Sequence, residues 1–175
     1  MSTALKNNNE LNRILSPIVA DEDFSFGIIV SDWNSAITLA LLEGCTNTLL
    51  QSGVAAENIH TIHVPGSFEL PVGARLLAQR FPSAEAYICL GCVVKGETRH
   101  DEYINTSVAI ALQNMSVSSG KPFVFGLLTT ENEQQAIDRA GGKYGNKGVE
   151  CAETALKMAA LRKELAESGK KKIGF

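Results

Sequence analysis

The chain has 175 residues, a length that suits one domain on the usual guide of about 150 residues each. Apolar types make up 45% of it and charged types 20%, which excludes wholesale disorder and a fibrous repeat. Its 16 Lys and Arg against 19 Asp and Glu give a formal charge of −3, so there is no basic surplus for nucleic acid; no apolar run approaches the roughly 18 residues of a membrane-spanning helix.

Residues 1–23 read as a polar N-terminal arm. Asn7, Asn8, Asn9 and Glu10 stand where a secretory signal needs its apolar stretch, so the expected compartment is the cytoplasm. Ile14, Leu15, Ile18 and Val19 could pair as an edge strand, although Ser16-Pro17 would make such pairing marginal. From there, apolar β-type runs alternate with longer helical patterns, the signature of a parallel sheet covered by helices. A strand is predicted over 26–31, then a helix over 34–51 with Ile37, Leu41, Thr48 and Leu49 at helical spacing, Leu42 and Cys45 beside them, and Ser52-Gly53 ending it. A second strand over 59–64 precedes Pro65-Gly66 and a helix over 68–79, with Pro71 in the first turn, where its missing N–H costs little.

The run 86–94 is apolar almost throughout, as for a central strand buried on both faces. A loop at 95–99, a helix over 100–117, a fourth strand over 123–129 and helices over 131–140 and 147–167 complete the order. The body is assigned to 24–168 and a basic tail to 169–175. Cys45, Cys89, Cys92 and Cys151 read as reduced thiols, because a domain of this size needs no disulfide staples. Strand geometry sends Cys89 and Cys92 to opposite faces, and the same rule separates His60 from His63, so neither pair makes a redox or metal motif.

In an open parallel sheet the loops leaving the strands' C-terminal ends share one edge and form the ligand crevice. Those loops here hold the chain's only Trp, Trp33, beside Asn34; Gly66, Ser67, Phe68 and Glu69; and Lys95 through His100. Trp33 can stack on a flat heterocycle while Asn34 reads its polar edge, or the pair can be a packing residue and a helix cap. His100, at a loop-to-helix junction on that edge, suits either proton transfer or capping. Residues 139–148 pack Arg139, Lys143 and Lys147 among four glycines just before a helix. That composition suits a phosphate or carboxylate, or else a pliant connection with solvated charges. It matches no P-loop, and no dinucleotide fingerprint follows the first strand.

In these loops the chain resembles the lumazine synthases, makers of 6,7-dimethyl-8-ribityllumazine in riboflavin biosynthesis. The motifs are Trp33-Asn34, VPGSFELP at 64–71, LGCVVKGETRH at 90–100, FGLLTTENEQQAIDRAG at 125–141 and GNKGVE at 145–150, in order, within about 26–161. The resemblance implies a flavodoxin-like three-layer α/β sandwich with a central four-stranded parallel sheet. It implies a transferase that condenses 5-amino-6-(D-ribitylamino)uracil with 3,4-dihydroxy-2-butanone 4-phosphate, releasing phosphate and water, with no cofactor and no metal. Trp33 matches the stacking position; Ser67, Phe68, Glu69, Cys92, Val93 and Val94 the uracil and ribityl site; Glu97, Thr98 and Arg139 the butanone phosphate site. Phe125 matches a hydrophobic wall, Lys147 a ribityl or phosphate contact, His100 the proton-transfer residue, and Glu150 an acidic group that orients His100 or neutralises its charged form.

Relatives form homopentamers or icosahedral 60-subunit shells with sites between subunits. Phe125, Arg139 and His100 are therefore expected across a boundary from Trp33, and the short connection 141–148 leans toward the shell. Asp32 stands where many relatives have Arg, and Cys92 where many have Thr, the latter leaving an oxidisable thiol in the cleft. The rivals to the enzyme are a noncatalytic flavin- or lumazine-binding shell protein and, more weakly, a flavodoxin-like electron carrier; intact His100, Arg139 and Lys147 favour the enzyme.

Overall fold

A computed structural model describes residues 20, 21 and 23–170. The pairing proposed for residues 14–19 and most of the 169–175 tail lie outside them. Four parallel strands form one sheet in the order β2-β1-β3-β4: β1 (Phe26–Ser31), β2 (Ile59–Val64), β3 (Ala86–Val94) and β4 (Phe123–Thr130). The first three have the bounds that the sequence predicts. β1 and β3 occupy the middle, paired Phe26 to Ala86 through Val30 to Leu90, and their near-continuous apolar composition follows from being covered on both faces.

The period-two alternation of these strands divides the core. Ile28, Val30, Ile88, Leu90 and Cys92 point to the layer of helices α1 (Ser35–Gln51) and α5 (Lys147–Lys170), where Leu41, Cys45, Leu49, Cys151 and Leu156 meet them. Ile29, Tyr87 and Cys89 point to the opposite layer, α2 (Leu70–Arg80) and α3 (His100–Ser119), against Leu70, Leu77, Val108 and Leu112. Ala20 and Phe24 join the first cluster, and the Ala20 N–H donates to the Ser52 carbonyl at 2.7 Å.

Two boundaries differ from the sequence reading for local reasons. Ser67–Glu69 forms a single 3₁₀ turn before α2, so the α-helix starts at Leu70 with Pro71 in its first turn. The helix expected from residue 131 begins later, as α4 (Glu133–Arg139), because the Asn132 side chain caps it by accepting from the Gln135 N–H at 3.0 Å. The glycine-rich connection is a small antiparallel hairpin, β5 (Ala140–Gly142) with β6 (Gly145–Asn146), whose turn uses a φ of 82° at Gly145. Gly148, in the first turn of α5, has a packing reason: a Cβ there would lie 1.9 Å from the Leu41 carbonyl oxygen, so glycine lets α5 meet α1.

Candidate active site

Strand order reverses between β1 and β3, the position at which an open α/β sheet leaves a crevice beyond its strand ends. A cavity of about 600 Å³ opens there. Its walls are Trp33 and Asn34 after β1; Gly66, Ser67, Phe68 and Glu69 after β2; Cys92, Val93 and Val94 at the end of β3; and Gly96, Thr98, His100, Asp101 and Ile104 beyond it. One chain thus gathers Trp33, Asn34, the Ser67 to Glu69 turn, Cys92 to Val94, Thr98 and His100.

Trp33 is 70% exposed and Phe68 58%, so two aromatic faces stand in the opening unpacked. Asn34 stands at the start of α1, but its side chain makes no capping bond. Its backbone sits in the left-handed region at φ 59°, a conformation Asn tolerates better than most residues, and its Nδ2 donates to the Cys92 carbonyl at 2.9 Å. That bond ties the loop after β1 to the end of β3. On the cleft wall the Ser67 hydroxyl is buried and has no hydrogen-bond partner among the described residues.

Cys92 contributes backbone and apolar bulk, not a reactive thiol. The residue is fully buried, and burial pushes its thiol up to about 11, a rise that the Asn34 hydrogen bond eases and the Glu133 charge adds to. The expected oxidisable group in the cleft is therefore corrected to an enclosed, protonated one. Burial also raises the Cys45 and Cys89 thiols, with Cys151 adding to the effect, and brings Cys151 to about 11. All four cysteines are free, and Cys89 and Cys92 face different core layers.

Glu97 and Phe125 are exposed and Arg139 and Lys147 half-buried, and all four lie outside the cavity wall. Phe125 is 38% exposed on the edge strand β4, its carbonyl 4.0 Å from the Cys151 sulfur at the start of α5. In the first turn of that helix Glu150 joins the two cations, accepting from Lys147 Nζ at 2.9 Å and lying 3.1 Å from Arg139. Arg139 also donates to the Tyr144 carbonyl at 3.1 Å. Burial acts to raise the Glu150 carboxyl pKa, but the Lys147 and Arg139 bonds and charges outweigh it and hold it below the usual value.

Three expectations change as a result. His100 lines the cleft of the same chain as Trp33, so no subunit boundary separates them. Glu150 spends its carboxylate on Arg139 and Lys147 of its own chain and does not orient His100 there. The free N–H donors imagined at the start of α5 are reduced by one, because the Gly148 N–H already donates to Asn146 Oδ1 at 2.7 Å. Lys143 stands apart, over the Tyr144 ring.

Asp101 and Ile104 were not among the sequence candidates. Ile104 follows His100 by four residues and so shares its helix face, a spacing that could have found it. Among the described residues no three His, Cys, Asp or Glu side chains converge as a metal site, and no helix is long and apolar enough to cross a membrane.

A doubly covered parallel sheet with an aromatic, hydrogen-bonding cavity at its topological switch point defines an α/β protein built to hold a small planar, polar molecule. The family model described as 6,7-dimethyl-8-ribityllumazine synthase matches residues 23–163, and the chain belongs to that family. Similar proteins bearing that same name come from Cytophaga hutchinsonii, 51% identical over 135 residues that cover 77% of this chain and 84% of the relative; from Parabacteroides distasonis, 46% over 158 residues, 90% and 97%; and from Porphyromonas gingivalis, 44% over 163 residues, 93% and 99%.

Proposed function

We propose that the protein is a 6,7-dimethyl-8-ribityllumazine synthase, a transferase of riboflavin biosynthesis that joins 5-amino-6-(D-ribitylamino)uracil to 3,4-dihydroxy-2-butanone 4-phosphate. The observation that carries the reading is the single cavity in which Trp33, Asn34, the Ser67 to Glu69 turn, the end of β3 and His100 meet, in a chain of this family. Trp33 and Phe68 offer aromatic faces to a pyrimidine, and the Glu69 carboxylate suits the ring edge and the ribityl hydroxyls.

In this reading the amine of the pyrimidine attacks the butanone carbonyl and water leaves as the imine forms. Phosphate departs as an enol develops, and ring closure expels a second water. His100 moves protons at these steps, and Arg139 with Lys147 receives the phosphate. Holding both substrates side by side supplies much of the acceleration. Glu97 and Thr98 contribute from the loop after β3 to the phosphate end.

The cavity and the Arg139, Lys147 and Phe125 group stand apart within one chain, which favours a homo-oligomer in which a neighbour brings the second group to the first. Exposed apolar side chains support association: Val72 and Leu76 on α2, and Tyr103, Ile110 and Val117 at seven-residue spacing on α3, all more than half exposed. The assembly is a pentamer or a 60-subunit shell of pentamers, acting in the cytoplasm on small molecules without cofactor, nucleic acid or membrane.

Mixing the two substrates with purified protein and following lumazine absorbance tests the activity. Product above a heat-inactivated control is expected, and its absence overturns the reading, whereas a monomer by solution mass measurement overturns the shared site alone.

A further inference from the structure

Trp33 projects from the cleft wall with 70% of its surface open, so within its own chain the backbone on either side, and not packing of the ring, fixes its direction. On the C-terminal side the anchor is Asn34, bonded to the Cys92 carbonyl on β3. On the N-terminal side three bonds run to the end of β2 and the residue after it. The Asp32 N–H donates to the Val64 carbonyl at 2.8 Å, the Trp33 N–H to the Pro65 carbonyl at 3.2 Å, and Asp32 Oδ1 lies 2.8 Å from His63 Nδ1.

The two main-chain bonds continue the β1–β2 ladder, in which Val30 pairs with His63 and Ser31 with Val64. The side-chain bond is the one contributed by residue type. It spans the two strand ends whose loops carry the aromatic walls, Trp33 after β1 and Phe68 after β2.

We propose that Asp32 and His63 form a brace that sets the orientation of Trp33 toward the ligand; both are positioning residues, and neither lines the main cavity. The geometry suits the role, since His63 Nδ1–H donates to the carboxylate and fixes the turn one residue before the tryptophan. Both side chains are about half exposed, so the brace is worth a modest factor and its loss leaves the fold intact. The consequence for substrate rests on the stacking role given to Trp33 above.

Because Trp33 is the only tryptophan in the chain, its emission reports this site in the full protein without substrate. The test compares wild type, Asp32→Ala, His63→Ala, the double variant and Asp32→Asn by acrylamide quenching of Trp33 and by steady-state kinetics. Each alanine variant is expected to alter quenching and to raise the KM for the ribitylaminouracil by roughly two- to fivefold, with kcat and the KM for butanone phosphate unchanged. The double variant should be no worse than the worse single variant, and Asp32→Asn, which keeps an acceptor, should recover most of the loss.

Unchanged quenching in both single variants, or effects that add in the double variant, overturns the brace. Altered, non-additive quenching with an unchanged pyrimidine KM upholds the brace and tells against stacking by Trp33. The quenching comparison decides the brace even if the chain makes no lumazine.

Discussion

The cleft and the cationic group at the start of α5 are built on opposite plans. In the cleft the aromatic walls are left without protein partners: Trp33 and Phe68 are exposed, and rigidity comes from backbone anchors behind them. In the cationic group the charges are already satisfied, with Arg139 and Lys147 sharing Glu150 and Arg139 also on the Tyr144 carbonyl. A neutral planar ring can be awaited by open apolar faces at little cost. Two adjacent cations cannot be held close without a counter-charge, so an anion arriving there shares them with Glu150.

The sharpest way to break this contrast is Arg139→Ala. On the proposed role of the guanidinium in receiving charge as phosphate leaves, kcat/KM is expected to fall about a thousandfold, measured by lumazine formation. Activity near wild type removes the clamp and leaves the α5 group as structure only. His100→Ala comes next, with kcat down about a hundredfold and the KM values little changed, since solvent can carry a proton more readily than it can hold a phosphate.

Gly148→Ala separates packing from chemistry in the cationic region. The added Cβ would meet the Leu41 carbonyl, and the cost is roughly 1–3 kcal/mol of stability in a denaturant titration. A fully stable variant would return this glycine to an anion-binding role.

Glu150→Gln is the smallest effect and tests the shared carboxylate. A carboxyl whose folded pKa is depressed adds stability that is complete above the unfolded value of about 4.3 and is lost as pH falls through the folded one. The variant should therefore lose ~0.5–1 kcal/mol at neutral pH, discounted for its partial exposure, and the difference from wild type should vanish in acid. A stability difference that persists at pH 2 would show that the carboxylate's charge is not what matters.

The two regions also differ in how much of them could be read from residues alone. Strand ends follow from apolar runs and turn residues, so the β1, β2 and β3 loops, and with them Trp33, Ser67 and His100, fell on one edge by topology alone. What escaped were choices made by tertiary partners. Asn34 has the residue type of a helix cap and instead reaches across 58 positions to Cys92; nothing local distinguishes the two uses. The hairpin at 140–146 depends on a turn at glycines, and a glycine-rich stretch has no side-chain pattern to announce pairing. Gly148 looked like part of an anion nest because its reason, the Leu41 carbonyl, lies over a hundred residues away. The Glu150 partnership was misassigned to His100 by resemblance, although the i,i+3 spacing from Lys147 was available in the sequence.

The enclosed sulfhydryls have a practical consequence. Cys45 and Cys89 sit in different layers of the body, with Cys92 at the cleft end of β3 and Cys151 beneath the cationic turn, so the chain carries internal reporters spread through its architecture. A thiol-reactive dye should leave the native molecule unlabelled. The order in which the four positions become modified as denaturant rises would then reveal which layer separates first, without any tag added to the protein.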